Sequence, residues 1–193
     1  VSKIENTKMY NVGYFNNNKI KLTGAINLIS SSYKVNNVII DNIEAEDAMN
    51  IVNSNVNLKD IKIMNSASDA IDLDFAYGDL KNIFLNNIGG DGIDTSGSNL
   101  KLDNLIADNI GDKGISVGEI SNINISNIEI SNTKIGIASK DSSKVYGNRI
   151  DISNSKLFDL AAYVKKSYFG GGLIEIKNLE DQTFEKILSQ KRS

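Results

Sequence analysis

The 193-residue chain contains no cysteine, no histidine, no proline and no tryptophan. Without cysteine, neither a disulfide framework nor a thiolate metal site can form. Without histidine, the Ser-His-Asp triad, imidazole-ligated zinc and the imidazole general base are all excluded. Charge of one sign is also lacking: 21 basic residues face 24 acidic ones, for a net charge of −3. That balance excludes a disordered acidic tail and a strongly basic nucleic-acid binder. Apolar runs extend only a few residues, far short of the ~20 that a spanning helix needs, so no membrane span is expected. What is abundant is isoleucine and asparagine, 29 and 27 residues, more than a quarter of the chain.

These residues recur with a period. The segments beginning at Asp47, Asp69, Asp91, Lys113 and Ile135 each start 22 residues after the one before, with a small residue in second place and mostly Ile or Met in third. Leu160-Ala161-Ala162-Tyr163-Val164 follows after 25 residues, and Gly24-Ala25-Ile26-Asn27-Leu28 precedes the first by 23. A second stretch of largely alternating apolar and polar residues recurs at 57–63, 79–85 and 122–130, as half-buried strands require. Asn42, Asn65, Asn87, Asn109 and Ser131 mark a bend in each repeat.

Helical repeats need ~33 residues and a 3.6-residue pattern, and leucine-rich repeats a dense leucine frame; both are missing. The period predicts an all-β parallel β-helix of about seven to eight coils over residues 1–178, with strands stacked ~4.8 Å apart and an asparagine ladder at one bend. Residues 179–193 break the repeat. Asp181 there is placed to cap a short helix presenting Phe184, Ile187 and Leu188, which predicts a C-terminal helical cap. Residues 1–22 read as one degenerate coil, so an N-terminal module or a second chain is expected over that end.

The repeats at 45–50, 68–75, 90–94 and 111–118, with Lys165-Lys166-Ser167-Tyr168-Phe169-Gly170-Gly171-Gly172, resemble the right-handed parallel β-helix superfamily. They are similar to β-helix segments of secreted bacterial proteins. The superfamily also holds pectate lyases, polygalacturonases, alginate epimerases and phage tailspikes. The resemblance implies a right-handed coil, a secreted or cell-surface location and an association with polysaccharide. Compared with polygalacturonase-like hydrolases, Gly90-Asp91-Gly92 stands at the first catalytic Asp motif and Asp112-Lys113 at the Asp pair one coil later. Lys134-Ile135-Gly136 stands at the Gly-His-Gly motif. Inverting hydrolysis requires two carboxyl groups in different roles, and here Lys113 replaces one of them.

Side chains alternate along a strand, so if Ile71 and Leu73 face inward, Asp72 and Asp74 face outward. Stacking by the period then predicts one outward column of Asn50, Asp72, Asp94, Ser116, Ala138 and Tyr163, and a second of Val52, Asp74, Ser96, Gly118, Lys140 and Lys165. A third line holds Asp47, Asp69, Asp91 and Lys113. Three functional expectations attach to this strip. Asp69, Asp72, Asp91 and Asp94 are candidate ligands for Ca²⁺, which takes many oxygen ligands in irregular geometry. Asp72, Asp74, Ser96, Ser116, Lys140, Tyr163 and Lys165 are candidate contacts for a saccharide, with lysines pairing uronates and tyrosine stacking on a ring. Asp91, Asp94, Asp112 and Lys113 are candidate catalytic residues of a lyase, epimerase or hydrolase. Lys113 is the one base on offer, yet its acidic neighbours raise its proton affinity.

Asp, Asn and Ser are also natural bend residues, so ladders with no ligand at all satisfy the same pattern. The reading is a secreted or surface carbohydrate-interacting module directed at acidic polysaccharide. An enzyme using the Asp91–Lys113 region is one alternative, and a structural spacer or adhesin element of a larger protein is another.

Overall fold

The computed structural model describes residues 1–13, 15–17, 20–177 and 184–190. It is a parallel β-solenoid of about seven turns. The chain alternates between two kinds of strand. Long strands β1 (Ser2–Val12), β5 (Ser32–Ile43), β7 (Asn55–Ser66) and β9 (Tyr77–Ile88) stack on one another, as do short strands β4 (Gly24–Ile29), β6 (Asp47–Val52), β8 (Asp69–Asp74) and β10 (Ile93–Ser96). In the next two coils the long and short parts fuse into β11 (Asn99–Gly118) and β12 (Asn122–Lys140). β13 (Lys144–Ser153) and β15 (Leu173–Lys177) then continue the long stack, while β14 (Phe158–Tyr163) and β16 (Ile187–Ser189) continue the short one. β2 (Phe15–Asn17) and β3 (Ile20–Leu22) form a separate antiparallel pair.

Each long strand is bent by a residue at positive φ. Asn37, Asp60, Asn82, Asn104, Asn127 and Arg149 form one such corner, and Asn42, Asn65, Asn87, Asn109, Asn132 and Asn154 a second. In β7 the inward positions run Val56, Leu58, then Ile61, Ile63, then Ser66, so each corner residue lets the alternation skip one place. Asparagine suits these sites because it tolerates the left-handed region. Its amide also bonds along the stack: Asn87 Nδ2 donates to Asn65 Oδ1 at 2.6 Å and Asn109 Nδ2 to Asn87 Oδ1 at 3.0 Å. The coil thus has three faces, two on the long strands and a third on the short strands.

At the third corner, buried serines replace the amides. Ser98 Oγ donates to Leu73 O at 2.9 Å, the Ser98 amide donates to Ser121 Oγ, and the Ser121 amide donates to Ser143 Oγ. Inside the triangle, stacked columns such as Met49–Ile71–Ile93–Ile115–Ile137–Leu160 make the core.

Three expectations need correction. The asparagine column continues through Asn132, not Ser131, because Asp108 pairs with Ser131. The coil after β12 repeats at 23 residues rather than 25, since Ile135 pairs with Phe158. Ala161 therefore joins the column given to Tyr163, and Tyr163 pairs with Lys140 in the place given to Lys165. Finally, no helix occurs among the described residues: Ile187–Ser189 is a strand that extends the short stack beside β14, and Phe184 packs against the core. Asp181 lies outside the described residues.

Candidate functional site

The acidic strip forms on the third face as its spacing predicts. Asp47 pairs with Asp69, Asn50 with Asp72 and Val52 with Asp74; Asp72 then pairs with Asp94 and Asp74 with Ser96. Asp69 Oδ1 accepts the Asp91 amide at 2.7 Å, and Asp91 Oδ1 accepts the Lys113 amide at 2.9 Å, so the third line stacks through side chain to backbone. These carboxyls crowd together on neighbouring coils and are partly buried. Burial, reinforced by Asp74, Asp47, Asp94 and Asp69, pushes the Asp72 carboxyl up to about 8. Burial raises Asp47 and Asp69 to about 6 and also lifts Asp74.

Of the four candidate catalytic residues, three meet. Lys113 Nζ lies 3.2 Å from Asp91 Oδ1 and 2.5 Å from Asp112 Oδ2, and Lys134 reaches Asp112 Oδ1 at 3.3 Å. Asp91 is only 6% exposed, and burial keeps its carboxyl above the ordinary range in spite of the lysine. Burial also works against ionised Asp112, yet Lys113 and Lys134 pull its carboxyl below that range. Burial alone would lower the Lys113 ammonium, but Asp91 and Asp112 outweigh it and lift it above the usual lysine value. Two carboxylates beside it favour the protonated form of Lys113, the form that does not act as a general base. Asp94 stands apart, accepting its neighbour Thr95's amide at 2.9 Å and lying 3.6 Å from Lys140 Nζ.

The candidate saccharide contacts divide by exposure. Asp72, Asp74, Ser96 and Tyr163 are half-buried and Lys165 is exposed, whereas Ser116 and Lys140 are buried. Lys140 sits in a slot that Gly118 leaves open: a Cβ there would lie 2.9 Å from Lys140 Cε. Through it the ammonium reaches Ser116 Oγ at 2.5 Å. The segment 164–172 straps this end of the face. Asp141 Oδ1 accepts the amides of Lys165 and Lys166 at 2.8 and 2.7 Å, Ser142 and Gly170 exchange hydrogen bonds, and Lys166 pairs with Glu119, which also accepts Ser96 Oγ. Sequence reasoning missed this strap, since nothing in the repeat announces what a loop outside it will cover.

Among the described residues, no three acidic side chains converge closely enough to hold a metal ion. No helix among the described residues is long and apolar enough to cross a membrane.

A second feature lies on the first face, away from the strip. Two rows of outward side chains, one coil apart at each step, border an open trough of about 460 Å³ along the solenoid axis. Its centre is lined by Lys101, Asn124 and Tyr146 on one side and by Asp103, Ser126 and Asn148 on the other. Each of these residues is unremarkable in its own repeat, so the trough shows only when the coils are stacked. No family model, curated protein or solved structure matches this chain.

Proposed function

We propose that this chain is a carbohydrate-interacting β-solenoid module, secreted or displayed on a cell surface, that binds acidic polysaccharide without cleaving it. The coil is read as right-handed, the hand of the polysaccharide-active β-helices its repeats resemble. The observation that carries the reading is the change of chemistry along the third face. Asp72, Asp74 and Asp94 with Ser96 offer hydrogen-bonding groups to sugar hydroxyls on neighbouring coils, and exposed Lys165 with half-exposed Lys134 offers cations to uronate groups at the far end. Tyr163 lies at that end as a ring platform. Ser116 and Lys140, being buried, position the face and do not touch the ligand.

The pairing of Lys113 with Asp91 and Asp112 favours its protonated form and so argues against a lysine-base lyase reaction there. The test is incubation with oligogalacturonate and alginate oligosaccharides, followed by binding measurements and mass spectrometry of the glycans. Binding that Lys165→Ala or Asp74→Asn weakens, with unchanged glycan masses, is the expected result. New fragments would replace this reading with an enzymatic one, a loss of water at their ends marking a lyase. Absence of binding would leave a structural spacer.

A further inference from the structure

The trough on the first face differs in chemistry from the third-face strip. Its long walls are built by register: Lys101 pairs with Asn124 and Asn124 with Tyr146 on one side, Asp103 with Ser126 and Ser126 with Asn148 on the other. One acid and one lysine stand at each end, Asp79 with Lys81 on β9 and Glu175 with Lys177 on β15. From β9 to β15 the rows climb four coil steps, roughly 19 Å at one strand spacing per step.

One wall is held in place by its own bonds. Asp103 Oδ1 accepts Ser126 Oγ at 2.8 Å and Asn127 Nδ2 at 2.7 Å, and Lys81 Nζ lies 3.4 Å from Asp103 Oδ2. Those hydrogen bonds hold the Asp103 carboxyl below its ordinary range, so it stays an acceptor. Across the trough, half-buried Tyr146 stands between Asn124 and Glu175.

The lining selects among ligand classes. Three lysines offset Asp79, Asp103 and Glu175, so the trough carries no net positive charge for a polyanion such as nucleic acid. The floor is the backbone of paired strands, whose amides and carbonyls are already committed to the ladder. An extended peptide therefore finds neither an open edge to join nor side-chain pockets to fill. Amide, hydroxyl and carboxylate groups beside one aromatic ring, in an open axial channel, match a chain of pyranose rings with many hydroxyls.

We propose that the first-face trough is a second glycan site, taking a linear neutral oligosaccharide of about four units laid along the solenoid axis, with Tyr146 as its ring platform. Asn124, Ser126 and Asp103 bond its hydroxyls. This site is independent of the acidic-glycan reading of the third face.

The experiment is calorimetric titration of the intact chain with cellohexaose, maltohexaose, xylohexaose and mannohexaose in turn. At least one is expected to bind, with affinity lowered about tenfold by Tyr146→Ala and several-fold by Asn124→Ala, a milder change should the first variant fold poorly. Glu129→Gln on the second face should leave binding unchanged. No binding by any of the four, or binding indifferent to both trough variants, would overturn the proposal. Competition by oligogalacturonate that Asp74→Asn abolishes would place the neutral glycan on the third face and overturn it too. Failure here leaves the third-face reading standing, because that reading is tested with acidic glycans and third-face variants.

Discussion

Asn50 and Asp72 stand directly opposite each other on neighbouring coils, and the buried Oδ1 of Asn50 has no hydrogen-bond donor among the described residues. The Asn50 amide nitrogen is already turned the other way, towards Thr23 Oγ1 at 2.5 Å and Asn27 Oδ1 at 3.5 Å. An ionised carboxylate has only acceptors, whereas a neutral carboxyl can donate one hydrogen bond. Of the two forms of Asp72, only the neutral one has a hydrogen to offer an acceptor such as Asn50 Oδ1.

Stability should therefore fall as pH rises. Asp72 titrates near 8 in the folded chain against an ordinary 3.8, so between those values the native state holds a proton that the unfolded chain has released. Its stabilising contribution is complete below pH 4 and lost on the way to pH 8. Asp47 and Asp69, near 6, add to the same trend. Asp103, Asp108, Asp112 and Glu119 sit below their ordinary values, and their contribution disappears only under more acidic conditions. The thermal midpoint should drop by roughly 5 °C or more between pH 5 and pH 8.5. Asp72→Asn should flatten most of that slope and raise the midpoint at pH 8.5. A midpoint that climbs with pH in the wild type would contradict the argument.

Lys113 is the compensator of a buried charge. Removing it leaves Asp91 ionisable, 6% exposed and without its cation, a change that costs about 3 kcal/mol when a buried pair is broken from one side. Lys113→Ala should lower the denaturant midpoint sharply, and adding Asp91→Asn should recover a good part of the loss. Equal destabilisation in single and double variants would mean that the lysine acts through its aliphatic stem.

The asparagine corner tests the ladder directly. Asn87 is at φ +58 and bonds both Asn65 and Asn109. Asn87→Ala forces a less tolerant residue into the left-handed region and breaks two amide bonds, for a loss of about 2 kcal/mol. Asn87→Gly keeps the backbone at ease and should lose less. Chemical denaturation of the two variants separates backbone conformation from ladder bonding.

Ile120 offers the converse. It is β-branched, 65% exposed and held at φ +66, a region that suits asparagine far better than a β-branched residue; Ser142, at φ +63, stands opposite it on the next coil. Ile120→Asn should raise stability by about 1 kcal/mol, read as a higher denaturant midpoint.

The repeat was legible because its corners demand a small set of residues. Asn42, Asn65, Asn87 and Asn109 keep a fixed place since each fills the same left-handed corner. The inward columns followed from alternation, and so did the pairing of Asp72 with Asp94 and Asp74 with Ser96. The phase failed past Lys140, where the matched small residues, Gly136 and Ala161, were aligned two places from their true partners. Exposure was illegible for another reason. Ser116 and Lys140 read as outward residues, but Lys140 lies back in the slot beside Gly118 with its ammonium on Ser116, and the strap of residues 164–172 is tied to the adjoining Asp141. The supposed cap helix failed because Ile187 and Leu188 find a strand edge at β14, and an unfilled ladder outbids a short isolated helix.

In a rod whose coils touch only their neighbours, cooperativity is a chain of separate joints, and the weakest one decides where the rod parts. The stacked carboxyls of β6, β8 and β10 lie inside the rod, with further coils on either side. In alkaline solution that joint softens while the asparagine and serine ladders elsewhere keep their strength. The molecule should then give way from within, at a pH-set fracture plane between coils, instead of fraying inward from its ends.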